Sequence, residues 1–412
     1  MARMKETIIY VTRDIERALG MTPNENYQIV SNRTDYGETV REQYPNFITL
    51  IESNSDDSAG TGDLMRNTKT QEIFSKVSQA TGVKPYILVF KNTARIEPIA
   101  REHGWILINP PAQTSEKIEN KISQILWLSE LEKYLPAHRI EFMKNIRWDG
   151  KPFIIQWAHG HTGGGTTLIR SDEELSALKT KFPERRSRTS TYIDGSSFTV
   201  NVVVTPEKIL MSSISYQITG QIPFTDSPFA TIGNDWGLAA KILSAEDKKW
   251  IADLTNEIGS RMQKEYWRGL FGIDILKDAS TGKMYLIEIN ARQPASTTFE
   301  SRLQEAKRAE GAQGLTTFEA HIAALLGQPV TKNLIEISDG AQIIQRITKN
   351  TKTVADDVIG TLELDGLSVI PYENTAEGSD LIRIQSKKGI MSAHKEFNDV
   401  GNQILLNLKT NI

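Results

Sequence analysis

The sequence predicts an α/β protein built from several packed units, and three observations lead there. Apolar runs at 7–11 (TIIYV), 86–90 (YILVF) and 105–108 (WILI) read as buried strands, with a helical run at 93–103 before the last of them. Strand, helix, strand at this spacing makes a βαβ unit of a parallel sheet. Farther along, 272–276 (GIDIL), a turn at Thr281-Gly282 and 284–290 (MYLIEIN) read as an antiparallel hairpin. The third observation is length: 412 residues exceed one ordinary core and suggest two to four packed units.

Composition narrows the classes of function. Apolar residues at 39% and charged residues at 24% are ordinary for a globular protein. The net charge of -3 argues against a nucleic-acid surface, which needs clustered Lys and Arg. The absence of cysteine excludes disulfides, thiolate metal sites and a Cys nucleophile. Residues 1–20 carry charges throughout without an apolar stretch, so no signal peptide is expected. No segment approaches the roughly 20 apolar residues of a membrane helix. The expected setting is cytoplasmic, with neither membrane nor nucleic acid as a partner.

The remaining elements follow in order. Residues 47–51 (FITLI) read as a strand, the polar stretch 54–63 as a loop, and 65–81 as a helix. Asn109-Pro110-Pro111 closes the first unit, because two prolines cannot continue a central strand. The span 115–134 reads as one helix, capped by Ser115, with Ile118, Ile122, Ile125 and Leu126 at helical spacing. The stretch 151–169 reads as strand, glycine loop, strand. Ser171 then opens a helix in capping-box style with Glu174. Asp194-Gly195 reads as a hairpin-type turn before a strand at 198–204, and 210–218 reads as another strand. Helices are expected at 245–265 and 316–326, and short strands with turns from 335 onward. The expected units are 1–111, 112–330 with an inserted subdomain near 151–191, and 331–412.

The hairpin carries the most chemistry. Side chains two apart on a strand share a face, so Glu288 and Asn290 point one way while Ile287 and Ile289 point into the opposite packing layer. Asp274 on the partner strand reaches the same side. Hard oxygen ligands of this kind suit Mg²⁺, which commonly takes a few carboxylates plus substrate phosphates. Arg292 falls at the next same-face position and can hold a carboxylate or phosphoryl group bidentately. The plainer alternative is a half-buried hairpin with a polar face, although Asn is disfavoured within strands. In the loop at 159–166 (HGHTGGGT), consecutive glycines let backbone N–H groups approach an anion. No Gly-Lys-Ser/Thr closes it, so it is not a Walker A loop, and taken alone the segment reads better as a flexible hairpin tip. His159 and His161 lack a third ligand nearby, which argues against a metal pair.

The order Lys151-Pro152, apolar strand, glycine loop, 192–195 (YIDG), GIDIL, then 286–292 (LIEINAR) resembles the ATP-grasp superfamily, over roughly 105–327. The resemblance implies an ATP-grasp fold with an N-terminal Rossmann-like (pre-ATP-grasp) domain and a small C-terminal α+β unit. It implies ATP and two Mg²⁺ ions as cofactors, with Mn²⁺ as a substitute, on Asp274, Glu288 and Asn290. Arg292 is implied as catalytic. Gly163, Gly164 and Gly165 would close over the phosphates, and Thr191, Tyr192 and Ile193 would form the hinge beside the nucleotide. Lys121 best matches the helix lysine that contacts the phosphates, with Lys117 as a competing register. Gln156 stands where the family carries a second nucleotide-binding Lys. It can hydrogen-bond the nucleotide but supplies no charge.

The implied activity is carboxylate–amine ligation through an acyl phosphate, of a peptide-bond-forming kind. The partners would be a small-molecule or peptide carboxylate and an amine acceptor, with a homodimer as the commonest assembly. The segment 293–298 (QPASTT) would shape the acceptor pocket, or be an ordinary turn into a helix near Glu300. A biotin-dependent type of carboxylase ranks lower, because its longer glycine run and the acidic-His ending of its metal strand are absent. Gln156 motivates a different class, a nucleotide-binding regulatory or scaffold protein without turnover. A structural α/β protein with a chance motif is the remaining alternative.

Overall fold

The computed structural model describes residues 6–52, 59–158 and 165–409. The described residues form four sheets, three larger ones and a two-stranded hairpin near the C-terminus. The first is a parallel sheet of five strands in the order Ile48–Ile51, Tyr27–Asn32, Ile8–Thr12, Tyr86–Val89 and Ile106–Leu107. Its strands Ile8–Thr12 and Tyr86–Val89 read as apolar runs because both faces are covered. Ile9, Val11, Ile87 and Val89 pack against Phe74 and Ile99 of the helices Thr68–Thr81 and Ile96–Glu102. Ile8, Tyr10, Tyr27 and Leu88 face Phe318 and Ile322 of the distant helix Thr317–Leu325. Phe318 stacks on Tyr10 and meets Tyr27 edge-on, so a late helix completes the first core.

The central sheet has nine strands. In spatial order they are Met284–Asn290, Gly269–Asp278, Gly195–Val204, Ser215–Thr219, Thr231–Asp235, Ala341–Arg346, Asp380–Ser386 and Ser368–Pro371, with Ile209–Met211 beside Gly195–Val204. All the pairs are antiparallel. The C-terminal segment therefore extends this sheet with three of its strands, and adds a separate two-stranded hairpin, Met391–Ala393 with Glu396–Phe397. Helix Ala245–Lys264 covers one face, placing Ile251, Leu254 and Ile258 against Phe198, Val200 and Ile273.

A third sheet of four strands, His138–Phe142, Arg186–Thr191, Phe153–Trp157 and Thr166–Ile169, caps the cavity. It begins earlier than the expected 151, because His138–Phe142 pairs along Arg186–Thr191. Ser171 caps helix Asp172–Lys181 by accepting from Glu174 N (3.3 Å).

Several local expectations change: the helix expected over 65–81 is two, Thr61–Arg66 and Thr68–Thr81, and the tail from 335 carries helices Asp356–Leu364 and Asp399–Lys409 besides its strands. The single helix over 115–134 is two helices, Ala112–Glu119 and Ser123–Leu128, followed by a 3-10 turn. Ser115 is buried inside the first and is not its cap; Glu97 accepts from Ala112 N (2.7 Å) instead. Asp194-Gly195 is no hairpin turn. It carries the chain from the third sheet to the central one, where Gly195 pairs with Asp278. A Cβ at Gly195 would lie 1.9 Å from the Lys277 carbonyl oxygen, so only glycine fits that crossing. The strand expected over 210–218 is split into Ile209–Met211 and Ser215–Thr219.

Candidate active site

The central sheet and the capping sheet enclose a cavity of about 800 Å³, and most of the expected site residues line it. Its floor is the hairpin Gly269–Asp278 and Met284–Asn290. Asp274 lies directly opposite Glu288, and Gly272 opposite Asn290. Gly272 is required because Pro294 packs on it; a Cβ there would lie 2.7 Å from Pro294 Cγ. Beyond Asp274 the register slips, so that Ile275 faces Leu286 and Ile287 is the extra residue of a β-bulge. Strict alternation therefore fails at one position. Leu286 and Ile289 enter the core, while Ile287 turns to the cavity beside Glu288. A bulge next to a site re-aims side chains, and here it brings an apolar surface next to a carboxylate.

Asp274 is held on three sides. Its Oδ1 accepts from Thr199 Oγ1 (2.8 Å) and Gln217 Nε2 (2.7 Å), and its Oδ2 from Asn290 Nδ2 (3.1 Å). Burial and the neighbouring Glu288 carboxylate push the Asp274 carboxyl up to about 6. Two carboxylates crowded in this way are what a divalent cation relieves. Among the described residues no three His, Cys, Asp or Glu side chains cluster as a complete metal site. The donor set is two carboxylates and the Asn290 amide oxygen, which fits Mg²⁺ sharing its coordination with substrate phosphates.

Cations surround this pair. The sequence breaks its helix at Asn120 because the Asn120 side chain accepts from Ile122 N (3.0 Å) and Ser123 N (3.3 Å), capping the next helix. The break turns Lys121 inward. Its backbone N–H donates to Ala158 O (3.1 Å), and its ammonium lies 2.6 Å from Glu288. Burial pushes Lys121 below the ordinary lysine range, against the pull of Glu288. Lys117, the other register, points elsewhere, to Glu265 (3.2 Å). Arg292 pairs with Glu119, which also binds Lys91 from the first unit. Burial would raise the Glu119 carboxyl, but Arg292 and Lys91 outweigh it and hold it below the usual range.

Gln156 is buried and lines the cavity, with Arg188 across from it on the neighbouring strand. Gly165 also lines it and accepts from Trp157 N (3.0 Å). Gly163 and Gly164 lie outside the described residues, as do His159 and His161. Thr191, Tyr192 and Ile193 form the connection between the third and central sheets at the cavity wall. Apolar Ile154, Leu168, Leu276 and Ile287 line the cavity as well, and such a surface suits a planar base.

Sequence reasoning missed the cavity's arginine-rich lining. Arg383 is fully buried; its Nε donates to Tyr372 Oη (2.9 Å) and its Nη1 to Gln342 Oε1 (3.1 Å). Arg346 donates to Thr231 O (3.0 Å) and Gly378 O (3.1 Å), and Asp380 lies 4.0 Å from Arg346 and 3.7 Å from Arg383. Alternation over Ile382-Arg383-Ile384-Gln385 is a signal that could have found Arg383, whereas 341–346 (AQIIQR) has no alternation to mark Arg346. Of the segment 293–298, Pro294, Ala295 and Ser296 line the cavity, and Gln293 is buried beneath, donating to Arg17 O (2.8 Å). The segment also leads into helix Thr297–Ala309, as the turn reading expected.

The antiparallel core, the capping sheet and the parallel N-terminal unit define an α/β fold with a nucleotide-sized cleft between sheets. Residues 118–296 match the profile of the ATP-grasp domain, so this part of the chain carries an ATP-grasp domain. No curated protein sequence matches it. Among solved structures it is similar to N5-carboxyaminoimidazole synthetase from Staphylococcus aureus in complex with ADP, at 12% identity and TM-score 0.64 over 99% of each chain. It is also similar to the Aspergillus clavatus N5-carboxyaminoimidazole synthase bound to ADP and 5-aminoimidazole ribonucleotide, at 14% identity and TM-score 0.64 over 98% of each chain. The L-amino acid ligase of Bacillus licheniformis is similar at 13% identity and TM-score 0.61, over 98% of this chain and 97% of that one. No helix among the described residues is long and apolar enough to cross a membrane.

Proposed function

We propose that the chain is an ATP- and Mg²⁺-dependent carboxylate–amine ligase. The observation that carries this reading is the Asp274–Glu288 carboxylate pair, ringed by Lys121, Arg188 and Arg292 inside one cavity. Joining a carboxylate to a triphosphate brings two anions together, and their repulsion must be offset. In the reaction a donor carboxylate oxygen bonds to the γ-phosphorus, and ADP leaves with the electrons of the broken P–O bond. The amine nitrogen then bonds to the acyl carbon, phosphate leaves, and the amine proton passes to solvent or base.

The residues divide the work. Asp274, Glu288 and Asn290 would hold Mg²⁺, which supplies charge neutralisation for the phosphates. Lys121 and Arg188 offset phosphate charge from the opposite side. Arg292, braced by Glu119, holds the donor carboxylate or the oxyanion of the tetrahedral intermediate. Thr191, Tyr192 and Ile193 present backbone groups to the base. Arg346 and Arg383 favour a substrate that itself carries an acidic group, as an amino acid or a peptide does. ADP bound in the similar Staphylococcus aureus and Aspergillus clavatus structures supports nucleotide use, and the L-amino acid ligase supports amide formation.

The test is ADP formation from ATP and Mg²⁺ with pooled amino acids and small carboxylic acids, bicarbonate included, in wild type and Glu288→Ala. ADP that requires a pool component and disappears in the variant is expected. ADP formation that persists in Glu288→Ala would sink the assignment. ATP binding without any turnover would favour a regulatory nucleotide-binding protein.

A further inference from the structure

Arg188 is a buried cation with no carboxylate at ion-pair distance among the described residues; Glu288 attracts it from farther off and is itself paired with Lys121. It stands directly across from Gln156 in the paired strands Phe153–Trp157 and Arg186–Thr191. It is 3% exposed and lines the cavity that also holds Lys121 and Glu288. Its hydrogen-bond partners are all neutral. Nε (3.0 Å) and Nη2 (2.5 Å) both donate to Gln156 Oε1, Nη1 donates to Gln124 Oε1 (3.4 Å), and Nη2 also reaches the Ile287 carbonyl oxygen (3.3 Å). Lys121 and Arg292 each have an ion-paired carboxylate, whereas Arg188 has none within that distance among the described residues. A guanidinium keeps its charge when buried, and a buried charge with no carboxylate in direct contact is costly even where one attracts it from farther off. Such a group persists where an arriving anion completes it.

We propose that Arg188 is a phosphate-binding cation of the nucleotide site, positioned by Gln156, and that it carries the charge a lysine at 156 would have supplied. The proposal rests on the nucleotide use argued above. The Gln156 oxygen accepts two N–H groups of one guanidinium, which fixes the plane of the fork. A glutamine does this and a lysine cannot, so the amide at 156 and the arginine at 188 form one unit. Arg188 also joins the capping sheet to the Ile287 bulge of the metal strand, so a phosphate bound there would tie the two sheets together.

The experiment measures binding of ADP, ATP and adenosine to wild type, Arg188→Gln, Arg188→Lys and the exchange variant Gln156→Lys/Arg188→Gln, together with each protein's melting temperature. Arg188→Gln is expected to lose about tenfold to a hundredfold in ADP affinity while adenosine binding stays within about twofold. Its melting temperature without ligand should hold or rise, because a costly buried charge has gone. Arg188→Lys should lose less ADP affinity than Arg188→Gln, and the exchange variant should recover ADP affinity to within a few-fold of wild type. A merely structural arginine would instead lower the melting temperature and weaken ADP and adenosine alike, which would overturn the proposal. Unchanged ADP affinity in Arg188→Gln would overturn it too. If Arg188→Gln does not fold, the exchange variant decides: near-wild-type ADP affinity supports the proposal, and selective loss of ADP overturns it. A wild type that binds neither ADP nor ATP defeats the nucleotide reading itself. A wild type that binds both, with Arg188→Gln binding equally well, defeats only the role of Arg188.

Discussion

Lys121→Met removes the counter-ion of Glu288 and also a buried ammonium facing the proposed place of the phosphates, and the two losses act with opposite sign. The pair is 2.6 Å apart, with the Glu288 side chain 30% exposed and that of Lys121 7%. Coulomb attraction at this distance is ~1.6 kcal/mol in water and ~6 kcal/mol at an effective dielectric of ~20. Solvent at Glu288 places the pair toward the lower value, and the buried ammonium's desolvation offsets part of it, leaving ~1–2 kcal/mol. A divalent ion binding Glu288 must first displace Lys121. Without the lysine, metal alone should bind about tenfold more tightly. The nucleotide loses a charged hydrogen bond of ~1.5–3 kcal/mol, so ADP without metal should bind about tenfold to a hundredfold more weakly. Mn²⁺ titration followed by electron paramagnetic resonance reads the first effect, and calorimetry with ADP in chelator reads the second. Metal affinity that is unchanged or weaker in Lys121→Met, or ADP affinity that does not move, would refute this reasoning.

Other predictions concern the surroundings of the site. Glu119→Gln leaves Arg292 and Lys91 without their shared carboxylate; both cations are 21% exposed, which softens the loss to ~1–3 kcal/mol. Its melting temperature and turnover should fall while ATP affinity stays within a few-fold, and a parallel loss of ATP binding would contradict the role given to Arg292. Burial raises the Glu300 carboxyl from 4.5 to about 7, so the folded protein holds this proton more tightly than the unfolded chain. That contribution to stability is complete below 4.5 and is lost as pH rises through 7, by up to ~3 kcal/mol. Urea unfolding at pH 5 and pH 8 should therefore show Glu300→Gln gaining on wild type at the higher pH, and equal differences at both would count against it. Gly195→Ala should cost ~2 kcal/mol or more in unfolding free energy, since its Cβ meets the Lys277 carbonyl oxygen; a neutral effect would contradict the close crossing.

What could be read from the sequence was whatever depends on local periodicity. Alternation put Glu288 and Asn290 on one face with Asp274 opposite, and the structure brings the three together. Apolar runs marked the parallel sheet because its strands are buried on both sides. The losses came where a long-range contact overrides the local pattern. The extra residue Ile287 breaks alternation for the sake of the cavity wall, and Asn120 interrupts a helical apolar stripe to cap the following helix and turn Lys121 inward. Strand Tyr27–Asn32 hides its register behind Gln28, Ser31 and Asn32, the last of which binds Arg13 O (3.0 Å) and Ala59 O (2.9 Å). Arg188 carries no local mark at all. Its place opposite Gln156 exists only once two strands 32 residues apart are paired.

The most direct measurement is a crystal structure with Mg²⁺ and a non-hydrolysable ATP analogue. The account predicts the base against Thr191, Tyr192 and Ile193, the phosphates between Lys121 and Arg188, and the metal on Asp274, Glu288 and Asn290. An analogue bound outside this cavity, or a metal that leaves both carboxylates untouched, would contradict it.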